Sequence, residues 1–164
     1  MTKEISRVST VYVYNSADEL DNEDKALLAE AKKAVETAYA PYSKFRVGCA
    51  LKLANGVIIH GSNQENVAYP SGLCAERVAM FYAGSSHPGI AIERIAITAQ
   101  SGTFDLNEPV TSCGACLQSM LEYENRQQHP MRIILQGKTG QILVANGLQT
   151  FMPFQFNRDE LKNE

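Results

Sequence analysis

The chain has 164 residues, a length typical of one globular domain, and it contains 45% apolar and 20% charged residues with a net charge of −3. So large an apolar fraction with so little net charge excludes a mostly disordered chain. The mild negative charge also gives no general attraction to a nucleic acid backbone or to an anionic membrane surface, so we expect neither as a partner.

The N-terminal part of the chain carries the weakest pattern. Residues 1–23 are predicted to be an extension, in which the partial alternation over residues 8–14 indicates an edge strand. The chain starts without the apolar segment of a signal peptide, and no stretch is apolar enough for a transmembrane helix. We therefore expect a cytoplasmic protein, with residues 24–164 forming a single catalytic domain.

Helices alternate with strands in the rest of the chain. Asp24 begins an amphipathic helix that ends before Pro41, and Asn55-Gly56 predicts a hairpin between strands at 47–53 and 57–59. The later elements are a helix over about 73–83, a strand at 92–98, a helix over about 113–125, a second hairpin from strands at 131–136 and 141–144, and a helical turn near Leu148. This order predicts an α/β fold, a three-layer α/β/α sandwich around a mixed sheet of about five strands.

Three of the four cysteines lie at predicted helix starts. Cys74 begins one helix, and Cys113 and Cys116 open another. A helix N-terminus lowers the pKa of a thiol, and zinc held by three protein ligands keeps a fourth position open for water. The pattern therefore favours a catalytic zinc site, although Cys-x-x-Cys alone is also compatible with a redox pair. Cys49 lies in an apolar strand, and we expect it to be a core residue.

Two charged residues follow Cys74 directly. Glu76 is compatible with a first-turn glutamate that the helix dipole stabilises, but beside a zinc ligand a carboxylate can also move protons to and from water. Arg77 is compatible with a solvated helix residue. Beside three thiolates, however, a guanidinium would withdraw charge from the sulfurs and keep the metal a good Lewis acid.

Together these residues resemble a known family. Cys74-Ala75-Glu76-Arg77 and Cys113-Gly114-Ala115-Cys116 are similar to the motifs of the small, homotetrameric, zinc-dependent cytidine deaminases. Three further segments match the family patterns A-Y-x-P-Y-S-x-F-x-V-G, N-x-E-N with Y-P, and L-P-x-x-F: they are residues 38–48, residues 63–66 with Tyr69-Pro70, and Met152-Pro153 with Phe156. The resemblance runs in register from about Glu30 to Phe156.

The resemblance implies a cytidine deaminase-like fold and the hydrolysis of cytidine and deoxycytidine to uridine and deoxyuridine with release of ammonia, in pyrimidine salvage. It implies a homotetramer with one zinc ion per subunit and with sites shared between subunits. The implied zinc ligands are Cys74, Cys113 and Cys116, and Glu76 is the implied proton carrier. The implied substrate contacts are Asn63 and Glu65 at the ribose hydroxyl, Phe45 at the base, the Ala75 N–H and Thr111 C=O at the base edge, and Phe156 stacking from a neighbouring subunit.

Two positions depart from the family pattern. Ser112 stands where proline usually precedes Cys-x-x-Cys, and Leu117 stands where arginine usually follows it. Neither change removes an implied ligand or Glu76, but both bear on rate and on substrate preference.

Other interpretations stay open at this stage. Phe45 and the apolar tail are compatible with simple packing, and Asn63 and Glu65 with hydrogen bonds inside a loop. Other functions compatible with the pattern are deamination of another free aminonucleoside of the blasticidin type, or a zinc protein that has lost catalysis. A nucleic-acid-editing deaminase is disfavoured by the negative net charge.

Overall fold

A six-stranded mixed sheet with helices on both faces makes up the computed structural model, which describes residues 2–156 and Leu161. The strands are Tyr12–Tyr14 (β1), Phe45–Leu53 (β2), Ile58–Ser62 (β3), Ile92–Ser101 (β4), Arg132–Gln136 (β5) and Ile142–Asn146 (β6). The helices are Asn22–Ala34 (α1), Ala75–Ser86 (α2) and Gly114–Gln127 (α3), and a short 3-10 helix follows at Leu148–Thr150.

The strand order is β1-β6-β5-β4-β2-β3. The β4–β5 pair is parallel, and the other four described pairs are antiparallel. The sheet has one strand more than the five that the sequence predicts. Within the predicted edge segment 8–14, residues Tyr12–Tyr14 form β1, which pairs with β6 at the edge of the sheet.

The two faces of the sheet bury separate hydrophobic clusters, as period-two alternation requires. Cys49 and Leu51 of β2 face the layer of α2 and α3, whereas Ala50 between them faces α1. The same alternation repeats in β4 and β5. The predicted three-layer sandwich is therefore confirmed, and Cys49 is a fully buried core residue as expected.

Several element boundaries differ by a few residues from the predicted ones, and two of them have a visible local cause. Helix α1 ends at Ala34 and tightens into a 3-10 turn, well before Pro41. The Thr37 hydroxyl donates to the Ala34 carbonyl at 2.9 Å and so competes with helix continuation. Strand β4 continues to Ser101, because Phe45 at the start of β2 pairs with that residue. The end of this strand is polar, so the alternation of apolar residues that predicts a strand does not extend to Ser101.

A buried ion-pair network joins α1 to the sheet. Asp24 is fully buried, and its carboxylate accepts hydrogen bonds from Arg94 of β4 at 2.5 Å and from Arg132 of β5 at 2.7 Å. Its backbone N–H donates to the side chain of Asp21, which caps the helix. The first turn of α1 is thereby bound to the two parallel strands at the centre of the sheet. No helix among the described residues has the length and apolar character needed to cross a membrane.

Candidate active site

The N-termini of α2 and α3 meet at one end of the sheet. Cys74 is the residue before α2, Cys113 is the residue before α3, and Cys116 lies in the first turn of α3. Gly61 of β3 allows the start of α2 to lie close, because a Cβ there would be 2.4 Å from the Ala75 carbonyl oxygen. The fold thus brings together cysteines that are far apart in the sequence.

The three thiols form a compact donor set. Their sulfur atoms all lie within 4.8 Å of one another, and the Sγ atoms of Cys74 and Cys113 are 3.9 Å apart. Tetrahedral zinc with bonds of about 2.3 Å to sulfur requires sulfur atoms about 3.8 Å apart, so the spacing fits zinc. Cys116 is buried, Cys74 half-buried and Cys113 exposed, which leaves one side of the set open.

Two buried polar atoms near the thiols have no hydrogen-bond partner among the described residues. They are Nε of Arg77 and Oγ of Ser112, which neighbours Cys113 in the chain. Buried donors are nearly always paired in folded proteins, so these atoms point to a further occupant of the site such as an ion, water or ligand. The Arg77 N–H is a donor and needs an acceptor such as water or a ligand atom, whereas the three-sulfur donor set fits a metal ion with an open coordination position.

Cys74 is electrostatically prepared to bind a cation. Hydrogen bonding from the Cys116 thiol, reinforced by the Arg77 guanidinium, lowers the pKa of Cys74 to about 6. Nη2 of Arg77 lies 3.8 Å from the Cys74 sulfur, and that contact raises the pKa of Arg77. A thiolate at this position is therefore available at neutral pH.

Glu76 lies in the first turn of α2 and is 4% exposed. Among the described residues, none donates a hydrogen bond to its carboxylate or forms an ion pair with it. Its charge is close enough to oppose ionisation of Cys74. The pKa of Cys49 is raised mainly by burial of that thiol and, to a smaller extent, by the charge of Glu76. A buried carboxylate without a partner is costly unless it meets a ligand or a proton, which is typical of a functional group.

A cleft of about 550 Å³ opens beside Cys74, within the roughly 300–1,000 Å³ usual for small-molecule sites. The residues that line it are Tyr42, Ser43, Asn63, Gln64, Glu65, Asn66, Tyr69, Gly72, Leu73 and Cys74. Of the predicted substrate residues, Asn63 and Glu65 therefore line the cleft. Phe45, Ala75, Thr111 and Phe156 lie outside this lining.

Asn63 holds the start of β2, and Glu65 holds the segment that leads into it. The Asn63 side chain accepts from the Val47 N–H at 2.8 Å and donates to the Phe45 carbonyl at 2.9 Å. The Glu65 carboxylate accepts from the backbone N–H groups of Tyr42 and Ser43, and these hydrogen bonds lower its pKa. The sequence left two interpretations open for Asn63 and Glu65, hydrogen bonds inside a loop or contacts to the substrate. The first of these is present in the structure.

The remaining predicted residues differ in how deeply they are buried. Ala75 is buried at the start of α2, and Phe45 is half-buried with its ring centroid 6.5 Å from that of Phe104. Thr111 is exposed in the loop before α3. The Phe156 ring is 53% exposed, while its carbonyl accepts a hydrogen bond from Gln118 of α3 at 3.0 Å.

Sequence reasoning missed two aromatic residues of the cleft. Tyr42 and Tyr69 pack edge to face with ring centroids 6.4 Å apart, and both rings are largely exposed. Each tyrosine is adjacent to a proline in a loop, Pro41-Tyr42 and Tyr69-Pro70. Exposed aromatic residues in rigid loops are a signal that could have assigned them to a binding surface.

Comparison with known proteins agrees with this geometry. Residues 21–129 match the family model described as the cytidine and deoxycytidylate deaminase zinc-binding region. The chain belongs to this deaminase family. The matched region contains all three cysteines of the donor set as well as Glu76 and Arg77.

Individual relatives of this deaminase family member cover most of its length. A cytidine deaminase of Sporosarcina psychrophila is 40% identical over 136 residues, 82% of this chain and 92% of the relative. One from Mycobacterium tuberculosis is 34% identical over 141 residues, 84% and 92% of the two chains. The crystal structure of a Burkholderia pseudomallei cytidine deaminase superposes with a TM-score of 0.69 at 36% identity, covering 80% of this chain and 97% of that one.

The two departures from the family pattern have different surroundings in this deaminase chain. Leu117 is half-buried and packs against the core on the α2–α3 face of the sheet, so an apolar contact stands where the family usually has a cation. Ser112 carries the unpartnered hydroxyl described above. Among the described residues, Arg77 is the cation that contacts the Cys74 sulfur.

Proposed function

We propose that this protein is a zinc-dependent cytidine deaminase, which hydrolyses cytidine and deoxycytidine to uridine and deoxyuridine and releases ammonia. One observation carries the proposal: three thiols lie at zinc-binding distance, one of them, Cys74, lines a cleft large enough for a nucleoside, and the buried Glu76 follows Cys74 in the first turn of α2. We also assign the reaction to pyrimidine salvage in the cytoplasm.

The metal site consists of Cys74, Cys113 and Cys116, which would hold one zinc ion per subunit. Zinc held by these residues would supply a Lewis acid that lowers the pKa of water to about 7. Arg77 donates to the Cys74 sulfur and withdraws part of the negative charge of the three thiolates.

Glu76 moves the protons. Its carboxylate takes a proton from the attacking water and delivers it to N3 of the pyrimidine, which makes C4 electrophilic. The water oxygen then bonds to C4. Glu76 then takes the second proton from the new C4 hydroxyl and transfers it to the exocyclic amine, so that the C4–N bond breaks, ammonia leaves and the oxygen remains as the C4 carbonyl of uridine.

The other site residues hold the substrate. Asn63 and Glu65 bind the ribose hydroxyl. Each side chain can form more hydrogen bonds than the ones it already makes to the backbone at and before the start of β2. Phe45 packs at the base, and the Ala75 N–H and the Thr111 C=O contact the base edge. No lysine or arginine lines the described cleft, and the Glu65 carboxylate is anionic there, which favours a nucleoside over a nucleotide carrying a phosphate.

Ammonia release by the purified, zinc-loaded protein tests the proposal directly. Cytidine and deoxycytidine should both be turned over, whereas deoxycytidylate should react with a kcat/KM lower by about 10² or more, since placing a phosphate in a cleft that contains a carboxylate and no lining cation is unfavourable. Zinc content is measured on the same sample. Absence of turnover in a protein that holds one zinc per chain would overturn the proposal and favour a zinc protein without catalysis.

We further propose a homotetramer in which Phe156 stacks on the base in a neighbouring subunit's site. The exposed Phe156 ring lies on a backbone that Gln118 holds, so a partner can meet it without rearrangement. Phe156→Ala should therefore lower kcat/KM about tenfold, the order expected when an aromatic stacking contact is lost, with little change in the thermal midpoint. Phe154→Ala, at a ring 67% exposed, is the matched control.

Mixing subunits distinguishes a shared site from a local effect of Phe156. Glu76→Gln and Phe156→Ala chains are each impaired, but a mixed tetramer contains sites with Glu76 from one chain and Phe156 from the other. Activity above the sum of the two separate preparations is expected after co-refolding. If activity is only additive, Phe156 does not act across subunits.

A further inference from the structure

Residues 104–112, here named the base loop, connect β4 to the zinc-site end of α3. At one end of the base loop, Phe104 contacts the ring of Phe45. At the other end lie Thr111 and Ser112, directly before Cys113. The base loop has no helix or strand of its own. Its position therefore depends on what holds it from outside.

The turn between β5 and β6, residues 137–140, holds the base loop. The Lys138 N–H donates to the Leu106 carbonyl at 2.8 Å, and the Thr139 hydroxyl donates to Oδ1 of Asn107 at 2.7 Å. Among the described residues, these are the hydrogen bonds that join the base loop to the rest of the chain.

Two glycines allow the turn and the base loop to approach this closely. A Cβ on Gly137 would lie 2.6 Å from the Leu106 and Glu108 carbonyl oxygens, and one on Gly140 would lie 2.0 Å from the Asn107 carbonyl oxygen. Gly140 also has a φ of +81°, which disfavours a side chain. The contact therefore requires glycine at both positions.

The turn is itself fixed to the centre of the sheet. The Thr98 hydroxyl donates to the Gly137 carbonyl at 2.8 Å, and the Gln136 side chain donates to the Gly140 carbonyl at 2.9 Å. Thr98 and Gln136 are buried, 2% and 4% exposed, and they pair across the parallel strands β4 and β5. These two buried hydrogen bonds fix both ends of the turn to the central strands.

We propose that the β5–β6 turn is a positioning element of the active site, which sets the base loop so that the Thr111 carbonyl meets the base edge and Cys113 meets the zinc. The turn touches neither substrate nor metal. The inference rests on the proposed deaminase function for its kinetic consequence, whereas the restraint of the base loop by the turn can be measured without turnover.

Gly140→Ala with Gly56→Ala as control tests the proposal. Gly56 lies in the β2–β3 hairpin turn with a φ of +83°, but a Cβ there would meet nothing within 4 Å. Both substitutions strain a left-handed residue to the same degree, and only Gly140→Ala pushes on the base loop. We expect kcat/KM for cytidine to fall about tenfold or more in Gly140→Ala, because small displacements of positioned groups are costly, and to stay at the wild-type value in Gly56→Ala.

Thr139 provides a milder variant that keeps the glycines. Thr139→Val loses the hydroxyl that donates to Asn107, whereas Thr139→Ser retains it. Thr139→Val should raise KM about threefold or more, the factor that corresponds to one net hydrogen bond, and Thr139→Ser should restore it. This pair keeps the proposal testable if Gly140→Ala does not fold.

Hydrogen exchange of the Lys138 N–H, which donates to the Leu106 carbonyl of the base loop, supplies the measurement that is independent of catalysis. Faster exchange of this amide in Gly140→Ala and Thr139→Val, with Gly56→Ala unchanged, is expected whether or not cytidine is the substrate. Unchanged exchange in both variants would overturn the restraint itself. Equal loss of kcat/KM in Gly140→Ala and Gly56→Ala would show that the turn affects only general stability. If the wild type does not turn over cytidine, the proposed function fails while the exchange result stands.

Discussion

Glu76→Gln should lower kcat for cytidine by about 10²–10⁴-fold, the usual contribution of a positioned proton carrier. Glutamine has nearly the size of glutamate and keeps hydrogen-bonding capacity, but it cannot accept a proton from water or deliver one to N3 and to the amine. The Glu76 carboxylate is buried beside the thiols and has no partner among the described residues, so no ion pair is broken by the change. Steady-state ammonia release measures the effect.

Zinc content separates catalysis from metal binding in this variant. Because Glu76 is not among the three sulfur ligands, Glu76→Gln should retain zinc at the wild-type stoichiometry. Glu122→Gln, at an exposed position on α3, is the matched control and should keep full activity. A Glu76→Gln protein that holds zinc and loses less than about tenfold in kcat would contradict the assignment of proton transfer to this residue.

Asp24→Asn should lower the free energy of unfolding by about 3–5 kcal/mol, the usual cost of removing one partner of a buried charge network. The fully buried Asp24 carboxylate neutralises Arg94 and Arg132, whose side chains are 20% and 25% exposed. Asparagine keeps the shape but leaves Arg132 without a counter-charge among the described residues, while Arg94 keeps its ion pairs with Asp21 and Glu23. Equilibrium unfolding in urea measures the difference.

The matched control for this second prediction is Asp18→Asn. Asp18 pairs with Lys25, but its side chain is 83% exposed, so water and salt screen the pair and no measurable change in stability is expected. Equal stability of Asp24→Asn and the wild type would contradict the view that the network binds α1 to the sheet. Activity per folded molecule should be retained in Asp24→Asn, since the network does not include any residue of the proposed site.

The sequence was most informative where a chemical pattern is local. The pair Cys74 and Glu76, and the Cys113–Cys116 spacing, are readable because a helix start places residues two or three apart in one turn. The sandwich was readable from alternating strands, since Cys49, Ala50 and Leu51 must face opposite layers. The short N-terminal strand β1 was harder to delimit, because only Tyr12–Tyr14 pair with β6 and the neighbouring residues show the same partial alternation.

Contacts between distant segments needed the tertiary structure. No local sequence pattern indicates that Asn63 and Glu65 hold the start of β2 and the segment before it. The same is true of the position of Asp24 between two arginines and of the contact between the β5–β6 turn and the base loop. Each of these contacts joins residues that are neighbours only after the sheet has formed.

The sequence by itself therefore determined the chemistry of this protein: which side chains can bind zinc, which can carry a proton, and which strands and helices present them. The tertiary structure decided the geometry, namely the distances between the sulfurs, the burial of Glu76 and the restraint of the base loop. The physical reason is the range of the interactions. Helix starts and strand alternation arise within a few residues, whereas sulfur spacing, burial and loop position depend on packing between elements that the chain order alone does not bring into contact.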